Sequence, residues 1–114
     1  MTRTVLVVDD EAGVRDVLTD MLEVLGCHTV TASSGAEALE RLKQEEQISM
    51  LITDITMPGM DGHELAERAR RLRPELKVLQ VSGRERRRDG YPMIRKPFDL
   101  DDLARTMEQT TGTC

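Results

Sequence analysis

The chain alternates short apolar runs with longer segments in which apolar residues recur every three or four positions. The short runs have the length and composition of strands, and they span 4–8, 28–32, 48–53, 77–81 and 93–95. The longer segments have the periodicity of amphipathic helices, and they span 14–25, 36–42, 62–72 and 100–107. Regular alternation of strands and helices predicts an α/β domain with a parallel sheet, helices on both faces and right-handed crossovers.

Composition narrows the possible functions. The 114 residues are enough for one domain, and they carry a net charge of −5. A broad basic surface for nucleic acid or anionic lipid is therefore not expected, and one Phe, one Tyr and no Trp offer little for base stacking. The first residues lack the apolar region of a signal peptide, and no apolar run approaches the roughly 20 residues that span a bilayer. These features predict a cytoplasmic protein without nucleic-acid or membrane partners.

The two cysteines have different surroundings in the sequence. Cys27 precedes a predicted strand and is typical of a small core residue. Cys114 is the last residue, and we expect 110–114 to form a frayed tail. A disulfide between them is not expected in a cytoplasmic protein, and their spacing is not that of metal ligands.

Polar side chains stand at the carboxyl ends of four predicted strands: Asp9 with Asp10, Asp54, Ser82 and Lys96. Ligands of open parallel sheets bind beyond the carboxyl ends of the strands, at the point where the strand order switches. If the first and third strands are neighbours, three carboxylates meet in one crevice. Hard oxygen ligands suit Mg²⁺, so the sequence predicts a magnesium site with Asp54 free to react.

Such a site can accept a phosphoryl group. A metal neutralises charge on the transferring oxygens while the Asp54 carboxylate attacks in line. The Lys96 ammonium is a point charge suited to a phosphate oxygen. The Ser82 hydroxyl can donate to another oxygen if it moves toward it, which would make a two-state element.

These residues lie in motifs that resemble the response-regulator receiver domain of two-component signalling, and the resemblance covers nearly the whole chain. Four motifs carry it, in the order 7–11 (VVDDE), Asp54 followed by 57–62 (MPGMDG), Ser82-Gly83 and Lys96-Pro97-Phe98. The resemblance implies a flavodoxin-like, doubly wound sheet of five parallel strands in the order 2-1-3-4-5.

The resemblance also implies a role for each residue. Asp54 would be the phosphoacceptor, with Asp10 a direct Mg²⁺ ligand, Asp9 acting partly through water and the Thr56 backbone carbonyl as a further ligand. Asp54 would itself contribute to the metal site. Lys96 would bind the phosphoryl group.

Signalling and signal lifetime depend on further positions. Ser82 would be the switch hydroxyl, and Thr56 and Arg84 would flank the path of the water that removes the phosphoryl group. The phosphodonor would be a histidine kinase or a phosphotransfer protein, docking at the first helix and the Pro97-Phe98 loop. A downstream protein would receive the signal by contact. The domain would catalyse only its own phosphorylation and dephosphorylation.

Two positions depart from the family pattern. The usual aromatic switch residue is replaced by Met93, and the nearby Tyr91 lies two residues earlier. Only 13 residues, 83–95, separate Ser82 from Lys96. A crossover with its helix needs about ten to twelve residues, so we expect the fourth helix of the family to be shortened or absent.

Other functions remain open at this point. One is a receiver-like interaction module that works without phosphorylation, against which the intact acids and Lys96 argue. Another is a phosphohydrolase with an aspartyl-phosphate intermediate, but Thr56 stands where such enzymes place an acid. A nucleotide or flavin carrier is disfavoured because no glycine-rich phosphate loop follows the first strand. The sequence leaves a separate protein and the end of a hybrid kinase as alternatives.

Overall fold

The computed structural model describes residues 2–83 and 90–114, which form five strands and four helices in the predicted order. The strands are β1 Thr4–Val8, β2 His28–Ala32, β3 Ile48–Asp54, β4 Lys77–Ser82 and β5 Met93–Arg95. The helices are α1 Ala12–Val24, α2 Gly35–Gln44, α3 Gly62–Leu72 and α4 Leu100–Gln109. β3 and β4 each run one residue beyond the apolar run, so Asp54 and Ser82 are the last residues of their strands.

The five strands form one parallel sheet in the order β2-β1-β3-β4-β5, which confirms the predicted flavodoxin-like fold. β1 lies between β2 and β3, and all five of its residues are buried. β2 is an edge strand, and most of its residues remain partly exposed. The strand order switches at β1 and β3, so their carboxyl ends flank the crevice at which such sheets bind ligands.

Alternate residues of the central strands point to opposite faces and build two apolar layers. On one face, Leu6 and Leu51 pack with side chains of α2 and α3, including Leu42 and Leu65. The other layer contains Val5, Val7, Met50, Ile52, Leu18, Leu22, Leu103 and Met107, with α1 and α4. Covering on both faces explains why the central strands are continuous apolar runs in the sequence.

Side chains mark the starts of three helices. Ser34 accepts from the Glu37 amide at 3.1 Å, and Asp61 accepts from the Glu64 amide at 2.9 Å. Asp99 and Asp102 form a reciprocal capping box at the start of α4. None of the helices in the described part of the chain has both the length and the apolar character needed to cross a bilayer.

The connection between β4 and β5 is ten residues long, 83–92, of which 84–89 lie outside the described residues. Its described residues, Gly83 and 90–92, contain no helix. The four helices found elsewhere are therefore consistent with the expected shortening or loss of the helix between these strands.

The segment 110–114 differs from the frayed tail that we expected. Thr111 is buried, and the Arg3 guanidinium donates to the carbonyl oxygens of Thr111 at 2.7 Å and of Gly112 at 2.9 Å. The Gly112 amide also donates to the Met107 carbonyl at 2.6 Å. Arg3 thus holds the last residues of the chain. This contact joins positions about a hundred residues apart, so no local sequence pattern reveals it.

The expectation of two unpaired cysteines is also wrong, since Cys27 and Cys114 form a disulfide with 5.2 Å between their Cα atoms. Cys27 is a buried core residue, as expected. The backbone turns after α4 and brings Cys114 back beside the start of β2. The expectation rested on compartment alone, and compartment does not determine whether two cysteines are neighbours in the fold.

Candidate functional site

Three carboxylates meet beyond the carboxyl ends of β1 and β3. Asp9, Asp10 and Asp54 each offer an oxygen, and these oxygens all lie within 4.8 Å of one another. Asp9 is 1% exposed and Asp54 is 8% exposed, whereas Asp10 faces solvent. The predicted convergence of these residues is therefore present, with one open side at Asp10.

The sheet itself positions Asp54. Asp54 pairs in register with Val81 of β4, and the following amide, of Ile55, donates to the Val81 carbonyl at 3.1 Å. The Thr53 hydroxyl donates to the Asp54 carbonyl at 2.9 Å. Because backbone contacts hold both sides of the residue, the carboxylate projects from a rigid strand end rather than from a loop.

Gly62 allows α3 to begin directly against this strand end. Its amide donates to the Ile55 carbonyl at 2.8 Å. A Cβ on Gly62 would collide with the Asp54 carbonyl oxygen and lie 2.7 Å from the Ile55 Cα. These neighbours are backbone atoms that cannot rotate away, so only glycine permits this approach. The motif at 57–62 contains Gly62, but its steric reason becomes visible only in three dimensions.

The Asp9 carboxyl is acted on by burial, by one hydrogen bond and by neighbouring charges. Burial raises the pKa of its carboxyl above the ordinary value, and the hydrogen bond from the Glu11 amide, at 2.9 Å to Oδ1, opposes that rise. Nearby Lys96 also lowers the pKa, while Asp10 and Glu11 raise it. The second oxygen, Oδ2, is buried and has no hydrogen-bond partner among the described residues.

Lys96 supplies positive charge between two of the acids. Its Nζ lies 3.9 Å from Asp9 Oδ2 and 3.8 Å from Asp54 Oδ1. It follows β5, and its amide donates to the Ser82 carbonyl at 2.7 Å, which ties the ends of β4 and β5 together. Ser82 is completely buried at the end of β4. The structure therefore places both predicted phosphoryl-binding residues at the same edge as the acids.

The residues present are compatible with Mg²⁺. Three carboxylates and one ammonium have a formal charge of −3 + 1 = −2, counting these four side chains alone. The donors are carboxylate oxygens, which Mg²⁺ prefers, and the buried Asp9 Oδ2 lacks a hydrogen bond within the described chain. A divalent cation would balance the charge and coordinate this oxygen.

The structure describes three of the four other positions that the sequence analysis singled out: Thr56, Met93 and Tyr91. Thr56 is exposed, two residues after Asp54. Met93 of β5 is half-buried and pairs with Gln80 of β4, while Tyr91 packs against the layer that includes α2 and α3. Arg84 lies outside the described residues.

One contributor was missed in the sequence. Arg15 of α1 donates from its guanidinium to the Asp9 carbonyl at 2.6 Å and so supports the turn that carries Asp9 and Asp10. An arginine on the polar side of a predicted helix looks like any solvated charge, and the sequence contains no signal that distinguishes it.

Comparisons with known proteins agree with this geometry. The family model described as response regulator receiver domain matches residues 5–108. The response regulator receiver protein CpdR of Brucella abortus (strain 2308) is 39% identical over 94% of this chain and 95% of its own length. The DNA-binding transcriptional regulator NtrC of Azospirillum brasilense is 33% identical over 96% of this chain, which spans only 24% of that longer protein.

Solved structures show the same relationship. The receiver domain from hybrid histidine kinase CckA superposes with a TM-score of 0.82 and 34% identity, covering 93% of this chain and 96% of that domain. The match therefore includes the overall fold as well as the sequence. Such a domain is a signalling element of a phosphorelay rather than a classical enzyme. The chain belongs to the response-regulator receiver domain family of two-component signalling.

Proposed function

We propose that residues 1–114 act as a single receiver module in which Asp54 accepts a phosphoryl group from a histidine kinase or a phosphotransfer protein. The observation that carries this proposal is the meeting of Asp9, Asp10 and Asp54 at one sheet edge, with the Lys96 ammonium within 4.0 Å of two of them. Packing alone does not explain three acids and a lysine at the ends of separate strands.

The phosphoryl transfer uses the Asp54 carboxylate as nucleophile. One of its oxygens attacks the phosphorus of a phosphohistidine, and the phosphorus–nitrogen bond breaks as the acyl phosphate forms. The donor imidazole keeps the electron pair of the broken bond. Lys96 binds one phosphoryl oxygen, and the Ser82 hydroxyl turns to donate to another.

Mg²⁺ would be held by Asp9, Asp10, Asp54 and the backbone carbonyl of Thr56. Bound Mg²⁺ supplies neutralisation of the charge that builds on the transferring oxygens. Asp10 would be a direct ligand, and Asp9 would act partly through water. The exposure of Asp10 leaves one side of the cluster open to solvent, from which the ion and the phosphodonor can approach.

Movement of Ser82 would carry the signal to β4 and β5, which the Lys96 amide joins to the Ser82 carbonyl. Half-buried Met93 would fill the space that an aromatic switch uses elsewhere in the family, so signalling would not depend on an aromatic ring changing position. The lifetime of the acyl phosphate would depend on Thr56 and Arg84, which flank the path of attacking water. The domain would catalyse this hydrolysis itself.

The partners follow from the chemistry. The phosphodonor would dock at α1 and the Pro97-Phe98 loop, and the output would be contact with a downstream protein in the cytoplasm. No nucleic acid or membrane is required. The receiver domain of CckA, which belongs to a hybrid histidine kinase, supports a phosphorelay as the setting.

Acetyl phosphate, a small phosphodonor, tests the proposal without the unidentified kinase. Purified protein should gain one phosphoryl group by intact mass with Mg²⁺ present and none after chelation of the metal. Asp54→Asn should fold normally and gain none. Asp20→Asn, which removes an exposed carboxylate on α1, is the matched control and should be phosphorylated as the wild type is.

Phosphorylation of Asp54→Asn would refute the assignment of the phosphoacceptor. Wild-type protein that binds Mg²⁺ yet gains no phosphoryl group would favour the alternative, a receiver-like interaction module that works without phosphorylation.

A further inference from the structure

The disulfide lies at the opposite edge of the sheet from Asp54. Cys27 directly precedes β2, at the amino-terminal edge of the sheet, whereas Asp9 and Asp54 follow or end their strands at the carboxyl edge. The bond joins this amino-terminal edge to the last residue after α4. Redox chemistry at this pair would therefore act on the segment 110–114 and not on the phosphorylation site.

Among the described residues, the hydrogen bonds of this segment are made by 110–112, and Thr110 donates to the Met107 and Thr106 carbonyl oxygens. Arg3 donates to two of its carbonyl oxygens, and the Gly112 amide donates to Met107. Thr111 is buried, but Thr113 is exposed and Cys114 is only half-buried. The end of the segment thus depends on the sulfur–sulfur bond and on the packing of Cys114 against the α1 and α4 layer, while 110–112 are held by hydrogen bonds to α4 and Arg3.

The two sulfurs differ in access. Cys27 is 5% exposed and belongs to the apolar layer on the α1 and α4 face. Cys114 is half-buried and lines a cavity of about 110 Å³ with Leu25 and Met107. A reagent from solvent can therefore reach Cys114 first, and the buried Cys27 then has a single partner, the sulfur of Cys114.

We propose that Cys27 and Cys114 form a reversible thiol–disulfide site, oxidised by a low-molecular-weight disulfide and reduced by the corresponding thiol, that controls release of the segment 110–114. This rests on the proposed function, because a signalling receiver works in the cytoplasm. Cytosolic disulfides in most organisms are transient and often redox-sensing.

Oxidation of the two cysteines takes place in two thiol–disulfide exchange steps. The Cys114 thiolate attacks one sulfur of the small disulfide, forming a mixed disulfide and releasing one small thiolate. The Cys27 thiolate then attacks the Cys114 sulfur and releases the second small thiolate. The two protons lost by the protein thiols end on the two released thiols, and two electrons pass from the protein to the small disulfide.

Reduced and oxidised glutathione are suitable probes. Wild-type protein equilibrated across a series of their ratios should lose two alkylatable thiols together, read by intact mass after alkylation. Amide hydrogen exchange in 110–114 should be about tenfold faster or more in the reduced form, because one anchor is gone. Cys114→Ser and Cys27→Ser should exchange like the reduced wild type at every ratio.

Three results would overturn the proposal: two free thiols at every ratio, a glutathione adduct that persists on Cys114, or equal hydrogen exchange in the two forms.

Acetyl phosphate treatment of both forms separates this proposal from the previous one. Phosphorylation rates should agree within about twofold because the two sites lie at opposite edges of the sheet. If neither form is phosphorylated but the two thiols still respond to the glutathione ratio, only the proposed function is refuted. If both forms are phosphorylated but the thiols do not respond, only the redox site is refuted.

Discussion

The two edges of the sheet use charged side chains in opposite ways. At the carboxyl edge, Asp9, Asp10 and Asp54 crowd together, and burial raises the pKa of Asp9. At the amino edge, Arg73 donates to four backbone carbonyl oxygens and Arg3 donates to two. One edge keeps like charges close, and the other surrounds each charge with acceptors.

The difference indicates where this fold is stabilised and where it binds. Hydrogen bonds between a charged donor and carbonyl groups stabilise the folded chain, since each connects segments that are far apart in sequence. Clustered carboxylates destabilise it until a cation binds. Substitutions at the amino edge should therefore lower stability, whereas some substitutions at the carboxyl edge should raise it and remove function.

Arg73→Ala should have the largest effect on stability. The Arg73 guanidinium follows α3 and donates to the carbonyl oxygens of Leu42 at 3.1 Å, Glu45 at 3.4 Å and Glu46 at 2.8 Å, and also to that of Ile48. Its loss leaves the end of α2 and the start of β3 without their shared donor. The free energy of unfolding should fall by about 3 kcal/mol, measured by urea denaturation.

Arg70→Ala is the matched control because Arg70 is an exposed arginine one helical turn earlier. It should change the free energy of unfolding by less than about 0.5 kcal/mol. At urea concentrations below its own unfolding midpoint, Arg73→Ala should still be phosphorylated by acetyl phosphate. Equal stabilities of the two variants would show that the carbonyl contacts of Arg73 contribute nothing.

Gly62→Ala should have the next largest effect, at the carboxyl edge. The added methyl group would collide with the Asp54 carbonyl oxygen, so the start of α3 must move away from the strand end. We expect a loss of about 1–3 kcal/mol in the free energy of unfolding. Phosphorylation by acetyl phosphate should also slow, because the displaced helix start shifts the turn directly after Asp54, which carries Thr56.

Gly13→Ala is the matched control for Gly62→Ala. It is the same substitution, made at a position where the added methyl group has room, so we expect it to raise stability. Gly13 lies in α1, and a Cβ there would meet nothing within 4 Å. Alanine is the better helix former, so this variant should gain about 0.5–1 kcal/mol in the free energy of unfolding. If both variants are stabilised, the close approach of α3 to Asp54 is not a constraint.

Sequence patterns identified the carboxyl edge better than the amino edge. Strand ends mark Asp9, Asp54 and Lys96, and parallel strands must bring their ends to one side, so the cluster was predictable. The contacts of Arg73 and Arg3 were not, because they join residues 25 or more positions apart and depend on side-chain direction. The disulfide was also not predictable, because the expectation rested on compartment and the two cysteines are 87 positions apart in sequence.

The smallest of the three effects concerns Asp9 in the metal-free protein. Because burial raises its pKa, the contribution of Asp9 to stability is fully present below the unfolded value of 3.8 and is lost as pH rises through the folded value. Asp9→Asn keeps an acceptor for the Glu11 amide but cannot ionise. It should be more stable than wild type at neutral pH, and the difference should disappear below pH 3.8.

Urea denaturation at several pH values measures this difference, and Asp20→Asn controls for loss of a solvated carboxylate. Saturating Mg²⁺ should then reverse the order of stability, because ligand binding stabilises only a folded state that retains the site. Wild type should gain stability with Mg²⁺, and Asp9→Asn should gain little. Asp9→Asn could instead be more stable than wild type and still gain as much stability from Mg²⁺. Asp9 would then oppose folding without contributing to the metal site. The contrast between the two edges would in that case rest on Asp10 and Asp54 alone.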